Sequence, residues 1–456
     1  MIFNSIKKSD FLKKLLTYFN GAVIAKFVGF LTFLYLGKLL VPEKYASFTL
    51  FIFAVEILSI CTKFGLSSSM LRIIGEDNEK ILTNSLLIVI ILCLLTTPLV
   101  VFGSGRVIQL LGENYSFLSQ YKYYICIRIM TSSVLNIISS YYIAIEKPLK
   151  FVKVTIISAI LTLSILFILV QFFRNESEIL KIILSAYVIS GVISALFALF
   201  IAKDNYALRS ISLAKSIEIV KYSWVFFIKN FIGILQMYAS RIILSLLATS
   251  YLLGVYSFYH TFFTQANMLM AVFSQTFIPK IRNMIIQKNR EKFDHARYLV
   301  RKTFKVYLIA SSIMFVLAAP LLFLIIQNSA LFSTIIKIEY LNNLYLFYGM
   351  LFAFFLGQIR TFFDVWQYVK NKSVNKHIII SNIFILLMLY FGNIYFFNLL
   401  GIYGIVLTQV LCYVLVYFSI DYIGCQISQF YWQAYQKPLW EELFWGASDW
   451  QSWKYK

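Results

Sequence analysis

Twelve stretches of this 456-residue chain are apolar over close to 20 residues or more, at about 15–40, 45–66, 81–102, 118–144, 152–173, 179–201, 221–248, 252–278, 303–327, 341–365, 377–398 and 401–423. About 20 apolar residues are what a helix needs to cross the roughly 30 Å hydrocarbon core of a bilayer. Water cannot satisfy backbone N–H and C=O groups there, so a lipid-exposed segment must bond to itself as a helix or close into a barrel. Continuous apolar runs of this length, without polar–apolar alternation, are helices. The sequence therefore predicts an all-α polytopic membrane protein with about 12 transmembrane helices. A charged fraction of only 13% agrees with this, since soluble domains carry about a quarter.

The distribution of basic residues sets the expected orientation. With the N-terminus inside, 29 of the 41 Lys and Arg fall in segments facing the cytoplasm and 7 in outer connections. Short loops obey the positive-inside rule, so both termini are expected to be cytoplasmic. The net charge of +21 is thereby explained by topology, and no nucleic-acid partner is needed. Cys61, Cys93, Cys126, Cys412 and Cys425 lack the paired spacing of a zinc or redox site, so no metal is expected. The start MIFNSIKKSDFLKK has no small-residue cleavage site after its first apolar run and is read as a retained cytoplasmic end.

Charges inside the spans point to a task. Lys26, Arg128, Lys229, Arg241 and Arg360 are embedded, against two acids, Glu56 and Asp364. A lone charge at the bilayer centre costs about 2.5–3.5 kcal/mol on insertion scales, so such groups face a bundle interior or a water-filled path. The cationic surplus predicts an anionic cargo. Arg128, Arg241 and Arg360 suit phosphate best, because a planar guanidinium donates two parallel hydrogen bonds and stays charged when desolvated. Lys26 and Lys229 add point charges, although Lys229 can snorkel and Arg360 can pair with Asp364 four residues on. Glu56 is the alternative salt-bridge partner for Arg241. Gln236, Tyr238, Asn136 and Gln358 could contact sugars, or join helices.

The chain also carries a weak internal repeat. A shift of 210 residues lays Ser47 and Phe48 on Ser257 and Phe258, and Arg72 on Arg282. Two six-helix halves of the same orientation, 1–202 and 221–424, are expected to surround a central cationic cavity. They flank a cytoplasmic amphipathic linker, 203–220, whose Leu208, Ile211, Leu213 and Ile217 suit the inner leaflet. A Trp-rich cytoplasmic tail, 425–456, follows.

Several local patterns carry a family resemblance: Leu39-Leu40-Val41-Pro42-Glu43-Lys44-Tyr45-Ala46, Phe64-Gly65-Leu66-Ser67-Ser68-Ser69 with Arg72, and Glu146-Lys147-Pro148. The second half adds Lys221-Tyr222-Ser223-Trp224, Leu253-Gly254-Val255-Tyr256-Ser257 and Pro279. Over about residues 10–424 the chain resembles the polysaccharide-exporting branch of the multidrug/oligosaccharidyl-lipid/polysaccharide flippase superfamily, the Wzx-type O-antigen flippases in particular. Ala46 departs from the small residue, usually glycine, that follows the tyrosine there, and the tail from Gln426 matches nothing in the pattern.

The resemblance implies a secondary transporter, not an enzyme. Its cargo would be an undecaprenyl-pyrophosphate-linked oligosaccharide, moved from inner to outer leaflet of a bacterial plasma membrane, with membrane lipids and glycan polymerase machinery as partners. No GxxxxGK[ST] sequence occurs, so no ATP site is expected and no cofactor beyond H+ or Na+ coupling, for which Glu56 and Asp364 are the candidate acids. His260 is a second possible titrating group, but a buried neutral ring bonded to a neighbour is the preferred reading. A drug or ion antiporter of the same superfamily would require an acidic or neutral cavity. A membrane glycan polymerase or ligase would require a larger outer loop than 103–117 or 328–340.

Overall fold

A computed structural model describes residues 10–73, 78–111, 113–173, 178–264, 336–341, 345–356 and 374–415, with a few single positions between them. Every regular element among the described residues is helical. In chain order these are α1 (Asp10–Leu39), α2 (Pro42–Lys63), α3 (Leu66–Ile73), α4 (Asn78–Leu111), α5 (Lys122–Ala144), α6 (Pro148–Phe172), α7 (Ile179–Ala202), α8 (Leu213–Leu247), α9 (250–264), α10 (Tyr345–Leu356), α11 (Val374–Leu400) and α12 (Ile402–Leu415). A single helical turn, Ile338–Leu341, stands apart. Six helices, α2, α4, α6, α7, α8 and α11, contain stretches long and apolar enough to cross a membrane. On α4, Leu94, Leu95, Leu99 and Phe102 are exposed, as are Phe167, Ile168 and Phe172 on α6. Apolar surface of that extent is stable against lipid and not against water. The chain is an all-α polytopic membrane protein. The expected span 303–327 and the tail 425–456 lie outside the described residues, isolated positions excepted.

Two compact units divide the chain. The first holds residues 1–279 and 323–344, the second 280–322 and 345–456. In the first unit α2 is the most enclosed of the membrane helices. Pro42 at its first turn has the φ a helix needs and no N–H to lose, which starts α2 two residues after α1 ends. At its other end Phe64 and Gly65 both adopt positive φ, and α3 begins at once. Gly65 could not be replaced there: a β-carbon would lie 2.5 Å from the Ser223 carbonyl oxygen and the Phe227 nitrogen of α8. Small hydroxyl residues join the helices. Ser59 meets Ser132 at 2.9 Å, Thr62 meets Ser133 at 2.6 Å, and Ser69 meets Ser223 at 2.7 Å. Short polar side chains of this kind let membrane helices approach closely while keeping their own hydrogen bonds.

The second unit is simpler. Gly401, at φ +60°, turns α11 directly into α12, and Gly392 and Gly349 leave room for Thr408 and Val406 of α12.

The linker differs from its sequence reading in one respect. Its first part is two short 3-10 turns, Lys203–Asn205 and Leu208–Ser210, but Leu213 onward already belongs to α8, which runs unbroken to Leu247. Ser212 caps this helix by accepting from the Lys215 N–H, and no breaker follows, so the amphipathic turns continue into the span. Asn84 of α4 holds the linker in place. Its amide nitrogen donates to the carbonyls of Lys80 and Ser210 at 2.7 and 3.1 Å, and its oxygen accepts from the Ser212 N–H and the Ser216 hydroxyl, both at 2.9 Å. Asn84→Ala should cost about 2–4 kcal/mol, the sum of lost bonds and stranded donors. A thermal denaturation midpoint in detergent unchanged by this substitution would show that the clamp contributes nothing.

Candidate functional site

The embedded charges of the first unit converge through aromatic and electrostatic neighbours. Arg128 projects from α5 toward α7, where its guanidinium carbon lies 5.8 Å from the Tyr187 ring centroid. Gly191, one turn further along α7, makes the room: a β-carbon there would sit 2.2 Å from Nη1 of Arg128. Glu56, on α2, is near enough for its charge to act on both Arg128 and Tyr238. Its carboxylate is 38% exposed and its ion-pair partner is Lys63, two turns along α2 at 4.0 Å.

Arg241 lies near the end of α8 and is only 6% exposed. The Tyr238 ring lies 4.9 Å from its guanidinium carbon, and Tyr238 in turn packs on Phe53 of α2 at 4.8 Å. Nη2 of Arg241 is 2.7 Å from Nδ1 of His260 on α9. A guanidinium can only donate, so Nδ1 must be the acceptor and the ring is the neutral Nε2–H tautomer. The Thr264 hydroxyl, 3.2 Å from the same Nδ1, gives its proton to the His260 carbonyl oxygen at 2.8 Å. Tyr45, fully enclosed at the start of α2, feels the Arg241 charge and lies within hydrogen-bonding reach of Thr261. Among the described residues Arg241 has no ion-pair partner, and its Nε is buried without a hydrogen bond.

Glu56, the expected salt-bridge alternative for Arg241, pairs instead with Lys63. Glu56 thus pairs with Lys63 and acts on Arg128, while Tyr238 stands between Glu56 and Arg241. The buried Nε of Arg241, without a partner, keeps donor capacity that an anion could use. Lys26 is a part-buried position of α1. Lys229 is also part-buried and sits about 18 Å along α8 from Arg241. Because α8 starts at Leu213, Lys229 is more than four turns from the helix start, not two. Arg360, Asp364 and Gln358 lie outside the described residues. Sequence reasoning missed Tyr187 and Tyr45 as neighbours of the arginines. The available signal was a tyrosine inside an apolar span within reach of a buried cation.

Residues 11–285 match the family described as "Polysaccharide biosynthesis protein". No curated protein matches the chain. Among solved structures it is similar to a multidrug resistance MATE family transporter of the MOP superfamily in its outward-facing conformation, with a TM-score of 0.63 and 15% identity over 94% of this chain and 98% of that one. The inward-facing conformation of such a transporter gives a TM-score of 0.59 and 13% identity, over 91% and 95%. A MOP superfamily transporter from Pyrococcus furiosus, described by a reversed polarity of its binding pocket that suggests a different function, gives 0.59 and 15%, over 94% and 98%. At these identities the likeness is one of fold. The family match covers more than half of the sequence, and the chain belongs to the polysaccharide biosynthesis protein family.

Proposed function

We propose that this protein is a flippase for a lipid-linked oligosaccharide, carrying an undecaprenyl-pyrophosphate-bound repeat unit from the inner to the outer leaflet of a bacterial plasma membrane. The observation that carries this reading is the buried Arg241, which has no acid partner among the described residues, with Arg128 nearby in the field of Glu56, itself paired with Lys63. A pyrophosphate supplies the missing negative charge. The polyprenyl tail stays in lipid, and tyrosines beside the arginines offer faces and hydroxyls to sugars. The family description and a transporter fold support the same reading.

In this proposal both termini are cytoplasmic, the two six-helix halves 1–202 and 221–424 rock about the cavity, and Arg360, Lys26 and Lys229 contribute further cations. Glu56 is the first candidate for ion coupling, with Asp364 second. Glu56, paired with Lys63 and within the field of Arg128, would feel a phosphate that takes over the arginine. An exporter of cationic drugs is less well served, because this seam would repel its cargo.

Deleting the gene in its host should make complete carrier-linked repeat units accumulate with their sugars accessible only from the cytoplasmic side. Unchanged intermediates and surface glycan, with raised sensitivity to cationic compounds, would instead support the antiporter. Restoring the gene with Arg241→Met should leave export at least about tenfold lower, the worth of one charged hydrogen bond to a phosphate. The same substitution should leave the denaturation midpoint unchanged or raise it, since an apolar side chain of similar volume relieves an unpaired buried charge. A loss of stability with export retained would remove Arg241 from the binding site.

A further inference from the structure

The short segment 336–341 belongs to an inter-span connection in the sequence, yet it is bonded into the first unit at four backbone positions. The Lys337 N–H donates to the Gly37 carbonyl at 3.2 Å, at the end of α1. The Tyr340 hydroxyl donates to the Leu40 carbonyl at 3.1 Å, in the elbow between α1 and α2. From α9, the Tyr251 hydroxyl donates to the Glu339 carbonyl at 3.0 Å, and the Tyr259 hydroxyl donates to the Tyr340 carbonyl. One strand of chain therefore bridges the α1–α2 elbow on one side and α9 on the other.

Its side chain completes the bridge. Tyr340 is fully buried, its ring stacked on Phe258 of α9 at 4.3 Å and edge-on to Tyr45 at 6.0 Å. Phe258 stacks in turn on Phe33 of α1 at 4.6 Å and meets Tyr45 at 5.6 Å. The elbow and α9 also touch directly: a β-carbon on Gly254 would lie 1.9 Å from the Pro42 carbonyl oxygen. Tyr45 lies between this cluster and the arginine pocket, because it reaches Thr261 and feels Arg241. Four residues after Leu341, helix α10 of the second unit begins, so displacement of that helix pulls on the segment through the chain itself.

We propose that residues 336–341 form a latch across the seam between the α1–α2 elbow and α9, with Tyr340 as its bolt, and that the seam opens only when Tyr340 leaves its aromatic slot. Three features favour a latch over a permanent brace. All four hydrogen bonds run to backbone groups that water can satisfy once the segment lifts away. The buried ring is a single tyrosine, seated without a covalent or ionic tie. The segment is continuous in sequence with helix α10 of the second unit, through which it can be drawn from its slot. The Arg241 pocket biases the latch through Tyr45, because a closed seam confines an uncompensated guanidinium. This inference needs no particular cargo.

The test uses the full-length protein in lipid nanodiscs, with Leu40→Cys as reporter and a water-soluble maleimide reaching both faces. Labelling is read by mass spectrometry of the modified peptide, so the native cysteines remain as internal controls. Tyr340→Phe, Tyr251→Phe and Tyr259→Phe each remove a hydroxyl and keep the ring. Each should speed labelling at position 40 by roughly 2- to 10-fold, and the triple variant more. Arg241→Met on the reporter background should slow labelling at least about twofold. An unchanged rate in the triple variant would overturn the latch, and so would a parallel acceleration at Cys93 and Cys412, which would signal general loosening. A rate unaffected or raised by Arg241→Met would overturn the link to the pocket while leaving the export experiments to judge the cargo separately.

Discussion

A guanidinium held inside a low-dielectric bundle must find its compensation in the protein or in a ligand, and the first unit is organised around that requirement. Arg241 is supplied with a neutral imidazole, an aromatic face and no acid among the described residues. Such an arrangement keeps the side chain oriented without cancelling its charge. Glu56 could have neutralised it and instead stands with Lys63, part-exposed. Helices α2, α8 and α9 are each drawn to this point by one or two side chains.

Four of the motifs that carry the family resemblance are contact surfaces for one another. The Pro42–Tyr45 stretch meets Gly254 and Phe258, and Gly65 to Ser69 meets Ser223 to Phe227. Each pair joins residues about 150 to 210 positions apart. Glycine and serine recur there because membrane helices gain little from apolar burial against one another and must bind by close approach and hydrogen bonds. These short patterns therefore recur in order along the chain without any one of them being chemically reactive.

Most of the long described helices were legible from apolar runs alone, since length and hydropathy are local properties. The positions of Lys26, Arg128, Glu56 and Arg241 were legible for the same reason: a charge in an apolar run is conspicuous. Their partners were not. With 31 tyrosines in the chain, nothing local marks Tyr187 or Tyr45 as the ones beside an arginine. A buried neutral His260 bonded to a neighbour was the preferred reading, but that the neighbour is Arg241 depends on how α8 and α9 pack. Residues 336–341 look like an ordinary connection, because backbone hydrogen bonds to distant carbonyls leave no trace in side-chain pattern. The early start of α8 was hidden by reading its amphipathic first turns as linker.

Helix α8 extends for 35 residues, about 52 Å, which is well beyond the hydrocarbon thickness of a bilayer. Its foot is capped by Ser212 and clasped by Asn84, so sliding along its axis to match a thicker or thinner membrane would break these bonds. Tilting is the remaining adjustment. A rod pinned at one end converts a small tilt into a sideways swing at the other, and Arg241 rides near the far end of this rod. A tilt taken up to match bilayer thickness would therefore displace the buried cation more than the foot.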